Sequence, residues 1–290
     1  MRSSRTTTAG ATTAAQPRAA ATATVTPDEW RELDITGAGG RAIAYLDAAA
    51  TAFVEPRRRS HELLNVSPGA SVLDVGCGTG IALREIAERV GPDGTIVGLD
   101  PSAAMLDHAR TRLDGVDANV ELVDGTATST RLESDRFDAV RTERVLMHIT
   151  HPREALTELT RVTRPGGRIV VVEPDHRRLA VDTDTPDLWL RFLTAFGGLL
   201  PNLSAGLRAP SDATSTGLSV LAIESIDCQF RSYERFTDVF DLEAGRAAAR
   251  TDGITDAELD GLLDELITRD REGRFLAVAC MFVIAIQKPR

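Results

Sequence analysis

The chain has 290 residues, 42% hydrophobic and 26% charged, an ordinary globular balance that excludes a wholly disordered or fibrous protein and suits one elaborated domain. A formal net charge of -10 at pH 7 argues against duplex nucleic acid or an anionic membrane surface as partner, because both would repel the chain at long range. Three cysteines, Cys77, Cys228 and Cys280, show no C-x-x-C spacing, so neither a disulfide framework nor a metal site is expected.

Residues 1–27 are mainly Ala, Thr, Ser and Arg, with no acid before Asp28 and no apolar core of a secretory signal. They read as a disordered tail on a cytoplasmic protein, although an Arg- and Ser-rich leader also fits a transit peptide. Residues 28–290 read as one domain. Its first part, 28–66, is a helical cap, with Ile43, Leu46, Ala50 and Phe53 at spacings of three and four. Arg57, Arg58 and Arg59 fit a solvated face paired with nearby acids better than a phosphate site.

After Ser67-Pro68-Gly69 the pattern changes. Short Val/Ile/Leu runs alternate with amphipathic stretches: strands at 71–75, 94–99, 120–123, 137–141 and 168–173, and helices from Ile81, from Pro101 and over 152–162. Strict alternation over 67–176 predicts a doubly wound, mostly parallel α/β sheet. Residues 177–217 read as a helical lid insertion carrying Trp189, Phe192 and Phe196, followed by a loop with Pro201 and Pro210. The remainder, 218–290, reads as a strand near 219–230, helices near 236–250 and 255–269, and a closing strand at 275–287. The last two strands form an antiparallel pair, and no apolar run is long enough to span a membrane.

The run Asp74-Val75-Gly76-Cys77-Gly78-Thr79-Gly80 joins a β-branched strand to an amphipathic helix, the context in which a glycine turn receives a nucleotide-like ligand. Dinucleotide binders carry G-x-G-x-x-G; here Gly80 falls one position earlier and Ile81 occupies the place of the last glycine. Asp74 would oppose a phosphate and suit an ammonium group. About 20 residues on, the second strand ends in Asp100, which either accepts ribose hydroxyls or caps the following helix, or does both. Asp124, at the end of the third strand, either meets a base edge or closes an Asx turn.

Taken in order, Val72–Gly80, Gly98–Ser102, Phe137–Val140 and Arg164–Gly167 resemble the class I S-adenosylmethionine-dependent methyltransferases, closest to the small-molecule branch of ubiquinone/menaquinone and natural-product enzymes. The resemblance is strong over residues 40–176 and implies a Rossmann-like fold with S-adenosyl-L-methionine as cofactor. It implies that Asp74, Gly76 and Gly78, with Gly80 completing the turn, surround the methionyl part. Asp100 would hold the ribose with Leu99 and Met105 nearby, Asp124 and Thr126 would flank the adenine, and residues 142–145 would line the sulfonium side with Arg144 on the carboxylate. Tyr45 either covers the sulfonium by cation–π attraction or is simply packed.

Methyl transfer needs alignment and desolvation more than a dedicated triad. His148 and His176, which follow strands four and five, are the candidates to face the acceptor, with His148 serving packing as readily as chemistry. The implied activity is methylation of a small, fairly apolar metabolite on oxygen, nitrogen or carbon, with homo-oligomerisation left open. The competing reading is a methyltransferase-like protein that binds the cofactor but acts as a cyclase helper or non-catalytic subunit.

Overall fold

The computed structural model describes residues 39–290; the expected tail and the cap segment 28–38 lie outside them. The first described helices are α1 (Gly39–Ala52) and α2 (Val54–Leu64). Next come β1 (Ser71–Val75), α3 (Ile81–Val90), β2 (Thr95–Asp100), α4 (Ala103–Arg112), β3 (Asn119–Asp124), β4 (Phe137–Glu143), α5 (Pro152–Val162) and β5 (Thr163–Pro174). The C-terminal part holds β6 (Ala180–Val181), α6 (Pro186–Gly197), α7 (Ala205–Ser215), β7 (Ser219–Phe230), α8 (Tyr233–Thr237), α9 (Gly245–Thr251), α10 (Asp256–Arg271) and β8 (Ala277–Gln287).

The sheet runs β3-β2-β1-β4-β5-β8, with β7 paired to β8 and the two-residue β6 also bonded to β8. The first five strands are parallel, and β8 is antiparallel to both β5 and β7, which is the doubly wound sheet with an antiparallel terminal pair expected from the pattern. Helices cover both faces. One core layer gathers Ile86, Val172 and Phe236; the other gathers Leu73, Leu159 and Ile284. β8 is buried almost throughout, as a strand with neighbours on both sides and helices on both faces must be. Among the described residues no helix is long and apolar enough to cross a membrane.

Four local expectations change. The buried stripe of α1 is Ala42, Tyr45 and Ala49, continued by Phe53 just after the helix, one position before the expected stripe except at Phe53, because Tyr45 turns inward while Leu46 reaches the cleft described below. The expected lid divides. α6 packs on the short turn His176–Arg178 after β5 and on α9, whereas α7 lies against β5, β7 and β8 and buries Ala205, Ala209 and Ala213. Pro210, expected in a loop, sits inside α7; a proline there costs about 3 kcal/mol, and burial of the small residues along the sheet offsets it. Finally, the helix expected over 236–250 is broken. The irregular stretch between α8 and α9 buries Val239, Phe240 and Leu242, and Asp241 Oδ1 accepts from Ala244 N at 2.9 Å where α9 begins.

Candidate functional site

The parallel strands all deliver their carboxyl ends to one edge of the sheet. The chain leaves β1 outward toward β2 and β3, then crosses back to β4 on the other side of β1. This reversal between β1 and β4 leaves a crevice, the place where open α/β sheets bind ligands. A cleft of about 390 Å³ opens there, within the usual range for a small-molecule site. Its wall brings together Tyr45, Gly76, Gly78, Asp100, Thr126, Arg144 and His148 from the sequence-derived set.

Gly76, Gly78 and Gly80 all have positive φ, at 70°, 52° and 77°, a region costly for residues with a Cβ. They do different work. At Gly76 a Cβ would stand 2.3 Å from Val145 Cγ2, and at Gly78 3.1 Å from Leu46 Cδ1, so bare backbone forms the cleft floor. Gly80 is not part of the cleft wall; its Cβ position lies 3.0 Å from Ala109 Cβ, which makes it the contact point between the start of α3 and α4.

Asp100 binds the turn directly. Its Oδ2 accepts from Gly78 N at 2.9 Å and its Oδ1 from Ser102 N at 3.0 Å, while Ser102, not Asp100, is the N-cap of α4 and accepts from Met105 N. Asp124 is exposed beside it in the register of β2 and β3, outside the cleft wall, and the following Gly125 to Thr128 line the cleft instead. Met105 is fully buried against Ala42, also off the wall.

Asp74 is 2% exposed and answered by an equally buried partner, Arg141, whose Nη1 lies 3.0 Å from Asp74 Oδ1. Arg141 Nε also donates to Ser60 Oγ at 2.8 Å, and its Nη2 pairs with Glu143. Complete burial pushes the Asp74 carboxyl up. Burial pushes Glu143 the same way, but Arg141 and Arg144 outweigh it and hold Glu143 below the ordinary carboxylate range. Glu143 lines the cleft and Asp74 an adjoining hollow that also reaches Gly76 and Gly78, so of the two acids on Arg141 it is Glu143 that faces the main space. Its sequence signal was its place as an acid at the end of a central strand.

Arg144 separates two spaces. Its backbone has φ 55°, its guanidinium lies 5.3 Å from the Tyr45 ring centroid and 5.6 Å from that of Phe53, and its Nη1 donates to Tyr45 Oη at 3.0 Å. Tyr45 thus already carries one cation over its ring. The loop after β4 is held from β5 by Glu173. Its Oε1 accepts from Val145 N and Leu146 N at 2.7 Å each, and its Oε2 from Met147 N at 3.3 Å; burial pushes this carboxyl up to about 7.

Beyond Tyr45, Arg144 and His148, which line both, lies an apolar chamber of about 60 Å³. Phe53, Leu179, Phe196, Val239, Phe240 and Met281 are among its walls. Of the aromatic stripe on α6, Phe196 reaches this chamber, while Trp189 and Phe192 are core: Trp189 Nε1 donates to Leu179 O at 3.0 Å and its ring packs on Phe192 and Phe236. His176 lines the chamber at 8% exposure, and neither ring nitrogen has a hydrogen-bond partner. Burial pulls its pKa down to about 4. Leaving a buried polar group unpaired costs about 1–3 kcal/mol, so this ring is a marked feature of the chamber.

Arg57, Arg58 and Arg59 are paired with acids as expected: Arg57 with Glu85, Arg58 with Glu55 and Glu62, Arg59 with Glu62 and Glu224.

Residues 72–167 match a family model described as a methyltransferase domain. An uncharacterized 37.1 kDa protein in transposon TN4556 of Streptomyces fradiae is 34% identical over 253 residues, 84% of this chain and 71% of that one. The ubiquinone/menaquinone biosynthesis C-methyltransferase of Ectopseudomonas mendocina is 37% identical over 151 residues. That match takes in 50% of this chain and 58% of the relative, so the chain spans little more than half the relative's length. The solved structure of a SAM-dependent methyltransferase from Aquifex aeolicus has the same fold, with TM-score 0.52 and 16% identity over 90% of this chain and 97% of that one. The glycine turn, the crevice at the strand reversal and these matches agree: the chain belongs to the class I S-adenosylmethionine-dependent methyltransferases.

Proposed function

We propose that the chain methylates an oxygen, nitrogen or carbon atom of a small, fairly apolar metabolite in secondary or quinone-like metabolism. The observation that carries this reading is the adjacency of two spaces, a cleft floored by Gly76 and Gly78 with Asp100, Glu143 and Arg144 in its wall and a smaller apolar chamber, which share Tyr45, Arg144 and His148 as their common wall. The name of the Ectopseudomonas relative, a C-methyltransferase of quinone biosynthesis, supports a small-molecule acceptor.

The residues present fit S-adenosylmethionine. Bare backbone at Gly76 and Gly78, where a Cβ would collide with Val145 or crowd Leu46, leaves room for the methionyl part against the floor. The ionised Glu143 suits its ammonium group, and Arg144 its carboxylate. Asp100, which accepts from Gly78 N and Ser102 N and lines the cleft, suits ribose hydroxyls, and Gly125 to Thr128 with Leu99 form the adenine end. When bound, the cofactor supplies an already activated methyl group. The protein's part is then alignment and exclusion of water: Arg144 and Tyr45 border the point where the two spaces meet, and the apolar chamber desolvates the acceptor.

The test is a labelled-methyl transfer assay with a panel of apolar metabolites, run beside calorimetric titration with S-adenosylhomocysteine. Binding with transfer to at least one panel member is the expected result. Binding with no transfer across a broad panel would favour the cyclase-helper or non-catalytic reading, and absence of binding would overturn both.

A further inference from the structure

We propose that the free edge of β7 pairs antiparallel with β7 of a second copy of this chain, about a two-fold axis at Ile226, so that the sheet of one subunit runs on into the other. The interface does not depend on which acceptor is methylated.

β7 is the outer strand of the sheet. It bonds to β8 along one side, and among the described residues no strand or loop bonds to its other side. Such a row of bare backbone N–H and C=O groups is a template for another strand, and native proteins guard it with short strands, Lys, Pro or charge. β3, at the opposite edge, follows that rule: it has six residues, and its Glu121 is tied to Arg136. β7 does not. It has 12 residues with neither Lys nor Pro, and it exposes Leu221 and Ile223 at 46% and 53%. Its one irregularity lies between Val220 and Ala222, which leaves residues 222–230 regular.

Alternation and charge together choose the register. A two-fold axis normal to the sheet keeps each face on its own side, so one residue must oppose its own copy and the others pair about it. With Glu224 at the centre two carboxylates would meet, which is destabilising. With Ser225 at the centre Asp227 would face the partner's Ile223. With Ile226 at the centre, apolar meets apolar on one face, and on the other Asp227 faces the partner's Ser225. All of residues 222–230 are then paired, clear of the irregularity.

Arg178 makes this register complementary in charge. Its side chain crosses β8, with the guanidinium 5.7 Å from the Phe282 ring centroid, and its Nη1 donates to Ser225 Oγ at 3.2 Å. It is exposed, as is Asp227, and among the described residues neither forms an ion pair. Directly opposed side chains of antiparallel strands have Cβ atoms about 4.5–5.5 Å apart, so the partner's Asp227 would stand beside the guanidinium at Ser225. The two-fold makes that pair twice. A strand of another protein would need a carboxylate at that one position, whereas a second copy brings it in register.

Sedimentation velocity of the full chain over a concentration series is expected to show a monomer–dimer equilibrium. Arg178→Glu and Asp227→Arg each set like charges together twice and should weaken the dimer by at least about tenfold. The double variant exchanges the charges and should return affinity to within about threefold of wild type. Unchanged thermal unfolding midpoints certify that these surface variants are folded. Ile226→Cys should form an intersubunit disulfide on mild oxidation, because opposed Cα atoms stand about 4.5–5.5 Å apart, within reach of that bond. Ile223→Cys, whose two copies would lie far apart, should not; Cys77, Cys228 and Cys280 are all buried. Should a charge variant lose its fold, this pair of cysteine variants decides. A chain that stays monomeric at every concentration would overturn the proposal and leave the edge to a strand of another protein. A dimer that neither charge reversal weakens, or one that cross-links through Ile223→Cys and not through Ile226→Cys, would overturn it by placing the contact elsewhere.

Discussion

Gly76→Ala tests the cleft floor most directly, because the structure separates two sources of cost. The φ of 70° imposes about 1–2 kcal/mol on any residue with a Cβ. The new Cβ would also lie 2.3 Å from Val145 Cγ2, where ordinary contact is near 3.5–4.0 Å, so one side must move by about 1.2 Å or more, an overpacking cost of about 1–3 kcal/mol. Val145 cannot yield freely, since its N–H is held by Glu173 Oε1 at 2.7 Å. Val145→Ala removes the clashing methyl while its Cβ stays 3.5 Å away. In a double-mutant cycle read by urea unfolding and by S-adenosylhomocysteine titration, Gly76→Ala should cost about 2–5 kcal/mol of stability. Adding Val145→Ala should return the steric share and leave the φ share. If the two substitutions add to within about 0.5 kcal/mol, the contact between this turn and the loop after β4 is not what demands glycine, and the steric account fails.

Arg141→Met should destabilise the fold by about 3–5 kcal/mol in urea unfolding, because it strands Asp74 and Glu143 without their buried counter-charge; a loss below about 1 kcal/mol would mean that the two acids are not held by Arg141. Arg58→Ala removes exposed pairs with Glu55 and Glu62 and should leave the unfolding midpoint unchanged. Asp100→Ala leaves Gly78 N and Ser102 N without their acceptor and should weaken S-adenosylhomocysteine by about 10–100-fold, the scale of a hydrogen bond to a charged group; unaltered affinity would remove Asp100 from the ribose. Glu173 titrates near 7 in the fold against 4.5 as a free side chain, so the protonated form is the one folding favours. Its contribution to stability is therefore fully present below about pH 4.5 and is lost as pH rises to about 7, a span of about 3 kcal/mol. The difference in unfolding free energy between wild type and Glu173→Gln should fall across that window; a flat or rising difference would contradict the assignment.

The frame of the fold is legible because it rests on local periodicity: strands of β-branched residues alternating with amphipathic helices fix a doubly wound sheet, and Gly76, Gly78 and Asp100 mark the edge where the cleft opens. What was not legible depends on contacts distant in sequence. Asp74 reads as the acid for a ligand ammonium, but Arg141, 67 positions later, pairs with it, and of the two acids on Arg141 it is Glu143 that lines the cleft. Gly80 read as part of the ligand turn, yet its constraint comes from Ala109 on the next helix. The stripe on α6 split between core and chamber because neighbouring positions on one helix face met different partners, Phe236 for Trp189 and the open chamber for Phe196. The chamber's far wall, Val239 and Phe240, was hidden in a segment whose composition reads as helix.

One feature of the loop after β4 links the two spaces physically. Arg144 adopts a left-handed backbone at φ 55°, a conformation that costs about 1–3 kcal/mol for a residue of this size and persists only when its surroundings fix it. Here they do so from three sides: Arg144 N donates to Val172 O at 2.8 Å, Tyr45 and Phe53 flank the guanidinium, and Glu173 gathers the three following N–H groups. The same loop supplies Val145 to the glycine floor, His148 to both spaces and Met147 to the chamber. The segment that shapes the glycine floor therefore also shapes the chamber. Rigidity at this one segment fixes both spaces relative to each other, and it accounts for the presence of a fully buried carboxyl whose own desolvation is unfavourable.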